Sequence, residues 1–273
     1  MHPTHVEFDA ILEEILGQRL PGRPKQEPFV QSAVQNYQLG SRLRYGKATW
    51  HYCQAGPVGQ DVLGRGMGSL VVPTTITAGV ATGIYSAAAV GSYEVVIRDA
   101  IHGANYWANG KIEIWTSLGS DPATPVQHRV IKSSTASNGT TVTLTLYYPL
   151  TSVVAVGTGG EICRSVYAQV DSMTAHAHQG FLTVAGIPLM VVTLEYFFWA
   201  QTWGICTVNA GSEANMGETD RVREVYWHRD GTMIAANDAQ YAEGCQRAGY
   251  LIPNTHPGGV GESQTVVMLQ MDP

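Results

Sequence analysis

Tyr196-Phe-Phe-Trp-Ala-Gln-Thr-Trp-Gly-Ile-Cys-Thr-Val208 strings aromatic and β-branched residues together without a single charge. Residues of this type suit a pleated, half-buried surface. The preceding Pro188-Leu-Met-Val-Val-Thr-Leu-Glu195 has the same character. Together the two stretches predict two long strands, or one strand with a break, at the centre of a β-domain. On a strand's two-residue period, Phe197, Trp199, Gln201, Trp203 and Ile205 share one face, and Phe198, Ala200, Thr202 and Gly204 share the other. The expectation is one aromatic face for a core and a smaller, flatter face for packing.

The same character extends outward in both directions. Arg42 to Cys53 alternates Leu43 and Tyr45, then Trp50 and Tyr52, around Gly46, which predicts a hairpin. Short strands are expected at 69–72, 74–77, 93–98, 111–115, 127–132 and 140–147, then at 162–170, 222–228, 232–235 and 264–271. Thr140 to Leu146 alternates Thr with Val or Leu, the pattern of an antiparallel sheet with one wet side. Ser137-Asn-Gly139 before it predicts an Asn-Gly hairpin turn, and Asp230-Gly231 a second turn. Residues 172–186 lose strand character. Short strands punctuated by turn residues indicate an all-β fold of antiparallel sandwich or barrel domains. The expected division is residues 1–36 as an N-terminal helix and proline-rich arm, 37–175 as one β-domain and 176–273 as a second.

The arm has its own signature. Over residues 4–17, Phe8, Ile11, Leu12, Ile15 and Leu16 recur at helical spacing with Glu13 and Glu14 opposite. Thr4 and Glu7 fit a capping box, and Gly17 fits a C-terminal cap. Leu20 to Pro28 then carries three prolines and a glycine, which read as an extended linker. An amphipathic helix on such a linker needs a surface on which to bury its apolar face. The body of the chain and a neighbouring subunit are both surfaces of that kind.

The chain has 273 residues, of which 44% are hydrophobic, enough for a sizeable core. Only 14% are charged, against the roughly 25% usual for soluble domains. So few charges fit a surface spent on other protein, and equally a β-rich fold with uncharged polar loops. A net charge of -6, with Arg42, Arg44 and Lys47 as the densest basic group, argues against direct nucleic-acid binding. The N-terminus lacks the pattern of a signal peptide, and no apolar run is long enough to cross a bilayer. The expectation is a chain folded in a cytoplasm and not attached to a membrane. Cys53, Cys163, Cys206 and Cys245 form no C-x-x-C pair and are expected to be free thiols in strands.

Chemistry-bearing patterns are sparse. His176 and His178 stand two apart and, on a strand, would face the same way; His102, Asp171 or His228 would have to complete a metal site. Glu13 with Glu14, and Glu94 with Asp99, are carboxylate pairs without an environment that splits their acidities. No G-x-S-x-G elbow occurs. Gly64-Arg-Gly-Met-Gly68 lacks the spacing of a phosphate-binding loop and reads as a flexible connection. Trp50, Trp107, Trp115, Trp199, Trp203 and Trp227 either fill the core and subunit interfaces or line a sugar-binding face. No catalytic residue, metal ligand or cofactor site is assigned, and no enzymatic activity is expected.

Several blocks in order resemble virion structural proteins of tailed bacteriophages, of the capsid decoration (cement) or minor head type. They are Tyr37 to Gly56, Ala104 to Ile114, Thr143 to Leu150, Tyr196 to Val208 and Val266 to Pro273. The resemblance implies a non-enzymatic protein of the virion's capsid surface, assembled in the host cytoplasm. Such a protein binds the major capsid protein and copies of itself, and stabilises the particle through contacts across subunits. Phe8, Ile11, Leu12 and Ile15 on the arm, with Pro24 and Pro28 on the linker, are the candidate contacts. The alternative is a receptor- or glycan-binding virion protein, and a third possibility is a secreted carbohydrate-active enzyme.

Overall fold

The computed structural model describes residues 26–60, 62–79, 81–115, 126–176, 182–211, 223–236, 245–252 and 264–272. The expected helix over 4–17, and with it Phe8, Ile11, Leu12, Ile15 and Pro24, lies outside the described residues. Among the described residues the protein is all-β with almost no helix, and its sheets are antiparallel. The strands are β1 (Arg42–Tyr45), β2 (Ala48–Gln54), β3 (Met67–Ser69), β4 (Thr74–Ile76), β5 (Glu94–Arg98), β6 (Lys111–Trp115), β7 (Val126–Ser134), β8 (Thr141–Leu146), β9 (Gly160–Cys163), β10 (Val170–Ser172), β11 (Val184–Gly186), β12 (Phe197–Asn209), β13 (Glu224–Trp227), β14 (Met233–Ala235), β15 (Arg247–Leu251) and β16 (Gln264–Gln270). One 3-10 turn covers Met173–His176.

The chain divides into two compact units, one formed by Met1–Leu70 with Gln169–Pro273 and the other by Val71–Ala168. This differs from the expected boundary between 175 and 176. The reason is β3, which pairs antiparallel with both β10 and β11. Ser69 lies opposite Val170, and the Leu70 amide donates to Gln169 O at 2.9 Å. The chain therefore leaves and re-enters the first unit through neighbouring strands, and 71–168 is an excursion between them. A local drop in strand character after residue 172 cannot reveal such long-range pairing.

In the first unit a seven-stranded sheet runs β1-β2-β12-β16-β15-β13-β14, beside the three-stranded sheet β10-β3-β11. Strand β12 is central, flanked by β2 over its first half and β16 over its second. Its expected alternation fails midway. Gln201 pairs with Trp50 but Trp203 pairs with Thr49, so one extra residue bulges and the facing of the strand switches. Buried Gln201 fills the bulge, its Nε2 donating to Trp203 O at 3.0 Å and Ile205 O at 3.1 Å. Gly204 follows at φ +100, and a Cβ there would press on Ala48 and Lys47 O. Consequently Trp199 is buried while Ile205, predicted to share its face, is 64% exposed. Phe198 and Ala200, predicted for a flatter packing face, are fully buried as well.

Trp50, Tyr52 and Trp199 form one core cluster, and Cys206, Val208, Val225, Trp227, Val267 and Leu269 belong to another. Removing each large apolar side chain from water contributes about 1.5–3 kcal/mol. The end of the proline-rich linker is part of this unit. Gln26 is 3% exposed, its Nε2 donating to Val30 O and Phe197 O and its Oε1 accepting from Tyr52 Oη and Asn36 Nδ2. Trp199 Nε1 donates to Gln26 O, and Phe29 packs edge-on against Trp50 and Tyr45.

The second unit is a six-stranded sheet ordered β4-β9-β6-β7-β8-β5. The predicted alternation in β8 is observed: Val142, Leu144 and Leu146 enter the core with Ile97, Ile112, Ile114, Ile131 and Ile162, and the threonines face out. The turn before β8 differs from the expected two-residue form, which needs positive φ at both central residues. Only Gly139 has it, while Asn138 Oδ1 accepts from the Thr140 and Thr141 amides. The side chain substitutes for a tight backbone turn, and the connection widens to residues 135–140.

Candidate functional site

Three of the candidate metal ligands, Asp171, His228 and His102, are engaged elsewhere. His178 lies outside the described residues. Asp171 is fully buried and accepts from the Val58 and Ser172 amides. His228 Nδ1 lies 2.8 Å from Asp230 Oδ1 and caps the Asp230-Gly231 turn, while His102 belongs to the second unit. Among the described residues no group of three or more His, Cys, Asp or Glu has a metal-holding arrangement.

Asp99 and Glu94 do not act as a pair: Glu94 is exposed opposite Thr145, and Asp99 organises a cluster of its own. Its carboxylate accepts Trp107 Nε1–H at 2.7 Å, lies 2.8 Å from His102 Nδ1, and also takes the Ile101 and His102 amides. Burial pushes this carboxyl up, but the hydrogen bonds from Trp107, His102 and the amides outweigh it and hold the acid below the usual carboxylate range. His102 stacks on Tyr106 at 3.6 Å, and Arg164 lies 4.1 Å over that ring. A carboxylate–histidine pair is half of a catalytic relay. The hydroxyl placed here, Ser137 Oγ, donates to Asp99 O, so it is held as a loop staple and not as a nucleophile. The three-residue spacing of Asp99 and His102 was the signal available in the sequence.

The glycine-rich run 64–68 is not a flexible connection. Met67 and Gly68 lie in β3, Gly66 sits against the Trp227 ring, and Gly68 sits against Leu182 and Met173. Glycine is used there so that bulky side chains can approach the backbone. Four of the six tryptophans, Trp50, Trp107, Trp199 and Trp227, are buried; Trp115 and Trp203 are half-buried. All four cysteines are free; burial raises the thiols of Cys53, Cys163 and Cys206, the last to about 12. Pro28 is buried in the first unit and does not present a contact surface.

What remains is surface. On the wet face of the second unit an open groove of about 460 Å³ is lined by Lys111, Glu113, His128, Glu161 and Cys163 among others. Glu113 stands directly opposite Glu161, and His128 Nδ1 is 3.7 Å from its Oε2. At one end of the same unit Tyr93, Tyr147, Tyr148 and Val153 are exposed. Their loop is firmly held: buried Gln127 bonds Thr151 and Ser152, and Arg129 bonds Pro149 O and Thr151 Oγ1. On the first unit, Ile205, Met268 and Tyr250 are direct cross-strand neighbours on the outward face of β12, β16 and β15. No family model, curated protein or solved structure matches this chain.

Proposed function

We propose that this chain is a structural component of a virus particle, of the capsid decoration or minor head type of tailed bacteriophages. It binds the shell formed by the major capsid protein and, as a homo-oligomer, adds contacts across subunit seams. The carrying observation is the order of the five sequence blocks, from Tyr37–Gly56 to Val266–Pro273. Low charge and rigidly framed apolar side chains at the surface support the reading, since many copies of a modest contact add up through multivalency. The amphipathic helix and arm supply Phe8, Ile11, Leu12 and Ile15 as shell contacts, and Pro24 shapes the linker. Assembly takes place in the host cytoplasm, and sandwich or barrel packing provides the flat surfaces required.

The test is density-purified phage particles probed for this chain by mass spectrometry, followed by rebinding of the purified chain to particles stripped of it. Co-sedimentation is expected for the full chain, with reduced occupancy when Phe8, Ile11, Leu12 and Ile15 are all changed to Ser. Absence of the chain from particles overturns the reading; full occupancy of the variant overturns the role of the arm. One observation favours a second reading, a glycan- or receptor-binding virion protein: the loop bearing Tyr147 and Tyr148 is held in place while its rings face solvent. Rigid tyrosines suit stacking on a ligand, and glycan-array binding lost in Tyr148→Ala is the corresponding test.

A further inference from the structure

The sequence contains two Asn-Gly pairs, Asn109-Gly110 and Asn138-Gly139, both in the second unit. Asparagine deamidates most readily before glycine, because no Cβ shields the attacking backbone nitrogen and the glycine backbone is free to turn. The fold treats the two pairs in opposite ways.

Gly110 is buried just ahead of β6. Its N–H donates to Trp107 O at 3.0 Å, and its carbonyl accepts from the Ile131 amide at 2.9 Å. A Cβ there would collide with Cys163 O, so the end of β9 lies directly against it. The Asn109 amide is held as well, by Ile131 O at 2.9 Å. Ring closure between Asn109 and Gly110 would have to break this packing, which requires local unfolding.

Asn138 and Gly139 are both exposed, and nothing lies within 4 Å of where a Gly139 Cβ would stand. Only the flanks of the turn are tied down: Ser137 N–H donates to His102 O, Ser137 Oγ to Asp99 O, and Asp99 N–H to Thr140 O. Asn138 Oδ1 accepts from the Thr140 and Thr141 amides at 3.0 and 2.9 Å, two donors aimed where negative charge develops when Cγ is attacked. Among the described residues Nδ2, the leaving group, has no partner. The Gly139 N–H donates to Ser137 Oγ at 3.0 Å, which leaves the faces of its peptide plane open.

We propose that Asn138 is a site of spontaneous modification to aspartate and isoaspartate, while Asn109 in the same unit is protected. Gly139 N bonds to Asn138 Cγ, the Cγ–Nδ2 bond breaks, and ammonia leaves with the proton that Gly139 N gives up. Water then opens the cyclic imide. Cleavage between Gly139 N and Cγ yields aspartate; cleavage at the backbone carbonyl yields isoaspartate, whose main chain runs through Cβ and Cγ. Either product adds one negative charge to a chain of net charge -6. Aspartate keeps an acceptor for the two threonine amides, whereas isoaspartate lengthens the main chain and removes it, loosening the tie between this turn and the Asp99–His102 cluster. The inference does not rest on the virion reading.

Ageing the purified full chain in mildly alkaline buffer, then digesting it for mass spectrometry, tests the proposal. The peptide with Asn138 should convert on the order of tenfold or more faster than the peptide with Asn109, and isoaspartate-specific enzymatic methylation should label it. In urea the two pairs should convert at comparable rates. Conversion of Asn138 no faster than that of Asn109 in the folded chain overturns the proposal. A preference for Asn138 that persists undiminished in urea overturns it too, because neighbouring sequence and not the fold would then set the difference.

Discussion

Replacing Gln26 should loosen the start of the described chain from the sheet it lies on. The side chain is 3% exposed and takes part in four hydrogen bonds: to Val30 O at 2.7 Å, to Phe197 O at 2.8 Å, from Tyr52 Oη at 2.7 Å and from Asn36 Nδ2 at 3.0 Å. A neutral hydrogen bond contributes about 1 kcal/mol net, and a buried group stripped of its partner costs about 1–3. Val30 and Asn36 can turn to water, whereas the Tyr52 side chain is fully buried. Gln26→Met keeps the length and removes the bonds, so its expected cost is about 3 kcal/mol. Gln26→Ala adds a small cavity and should cost about 1 kcal/mol more. Urea unfolding followed by tryptophan fluorescence reads both, since Trp199 Nε1 donates to the backbone of this residue. A Gln26→Met protein within about 1 kcal/mol of the parent would refute the reasoning, because the segment would then be held by its other contacts, the Trp199 bond to the residue 26 carbonyl, Phe29 and Ser32 among them.

Asp99→Asn should destabilise the second unit. The parent's folded acid titrates below its ordinary value, so this carboxylate's contribution is full above about pH 4 and lost as pH falls through the folded pKa. The gap between parent and variant should accordingly close in acid, as measured by denaturant unfolding at neutral pH and near pH 3. His51 behaves in the other range. Burial lowers its pKa against the opposing pull of Asp272, 3.4 Å away, and of Gly40 O, with Arg42 adding to the lowering. Stability linked to His51 is full above pH 6.5 and falls as the pH drops below it; His51→Gln should flatten that slope. Gly249 has φ +153, and a Cβ there would collide with Met268 O. Gly249→Ala should cost about 3 kcal/mol or more, and a smaller loss in thermal unfolding would show that β15 can shift on β16.

The fold class was legible because periodicity carries it. Thr141 to Leu146 buries every second residue, and the β1–β2 hairpin turns at Gly46. Strands β11 and β15 escaped notice for opposite reasons. Val184 to Gly186 is too short to show a period, and Arg247-Ala-Gly-Tyr-Leu251 contains a glycine that ordinarily signals a turn. The bulge in β12 was invisible because its cause is a partner strand: the register changes against Thr49 and Trp50, far away in sequence. For the site, the sequence pointed to an arm whose helix lies outside the described residues. The apolar stripe was missed because Ile205, Met268 and Tyr250 become neighbours only through sheet pairing.

A recurring device also explains how so few charges suffice. Gln26, Gln127, Gln201 and Gln246 each use one amide group to bond distant or irregular backbone, Gln246 pairing with both the N–H and C=O of Val184. An amide supplies donors and an acceptor in one group without the desolvation cost of a charge. Ion pairs play a small part by comparison. Arg247–Glu224 is exposed on both sides, and a pair of that kind contributes only about 0–1 kcal/mol. Stability should therefore respond weakly to sodium chloride. Between about 0.05 and 0.5 M, where the screening length falls from roughly 14 to 4 Å, the unfolding free energy should change by less than about 1 kcal/mol. Its sign should be slightly positive, because salt relieves self-repulsion in a chain of net charge -6. A loss of several kcal/mol in urea titrations at the higher salt would mean that charge pairs, not the glutamine amides, hold the loops to the sheets.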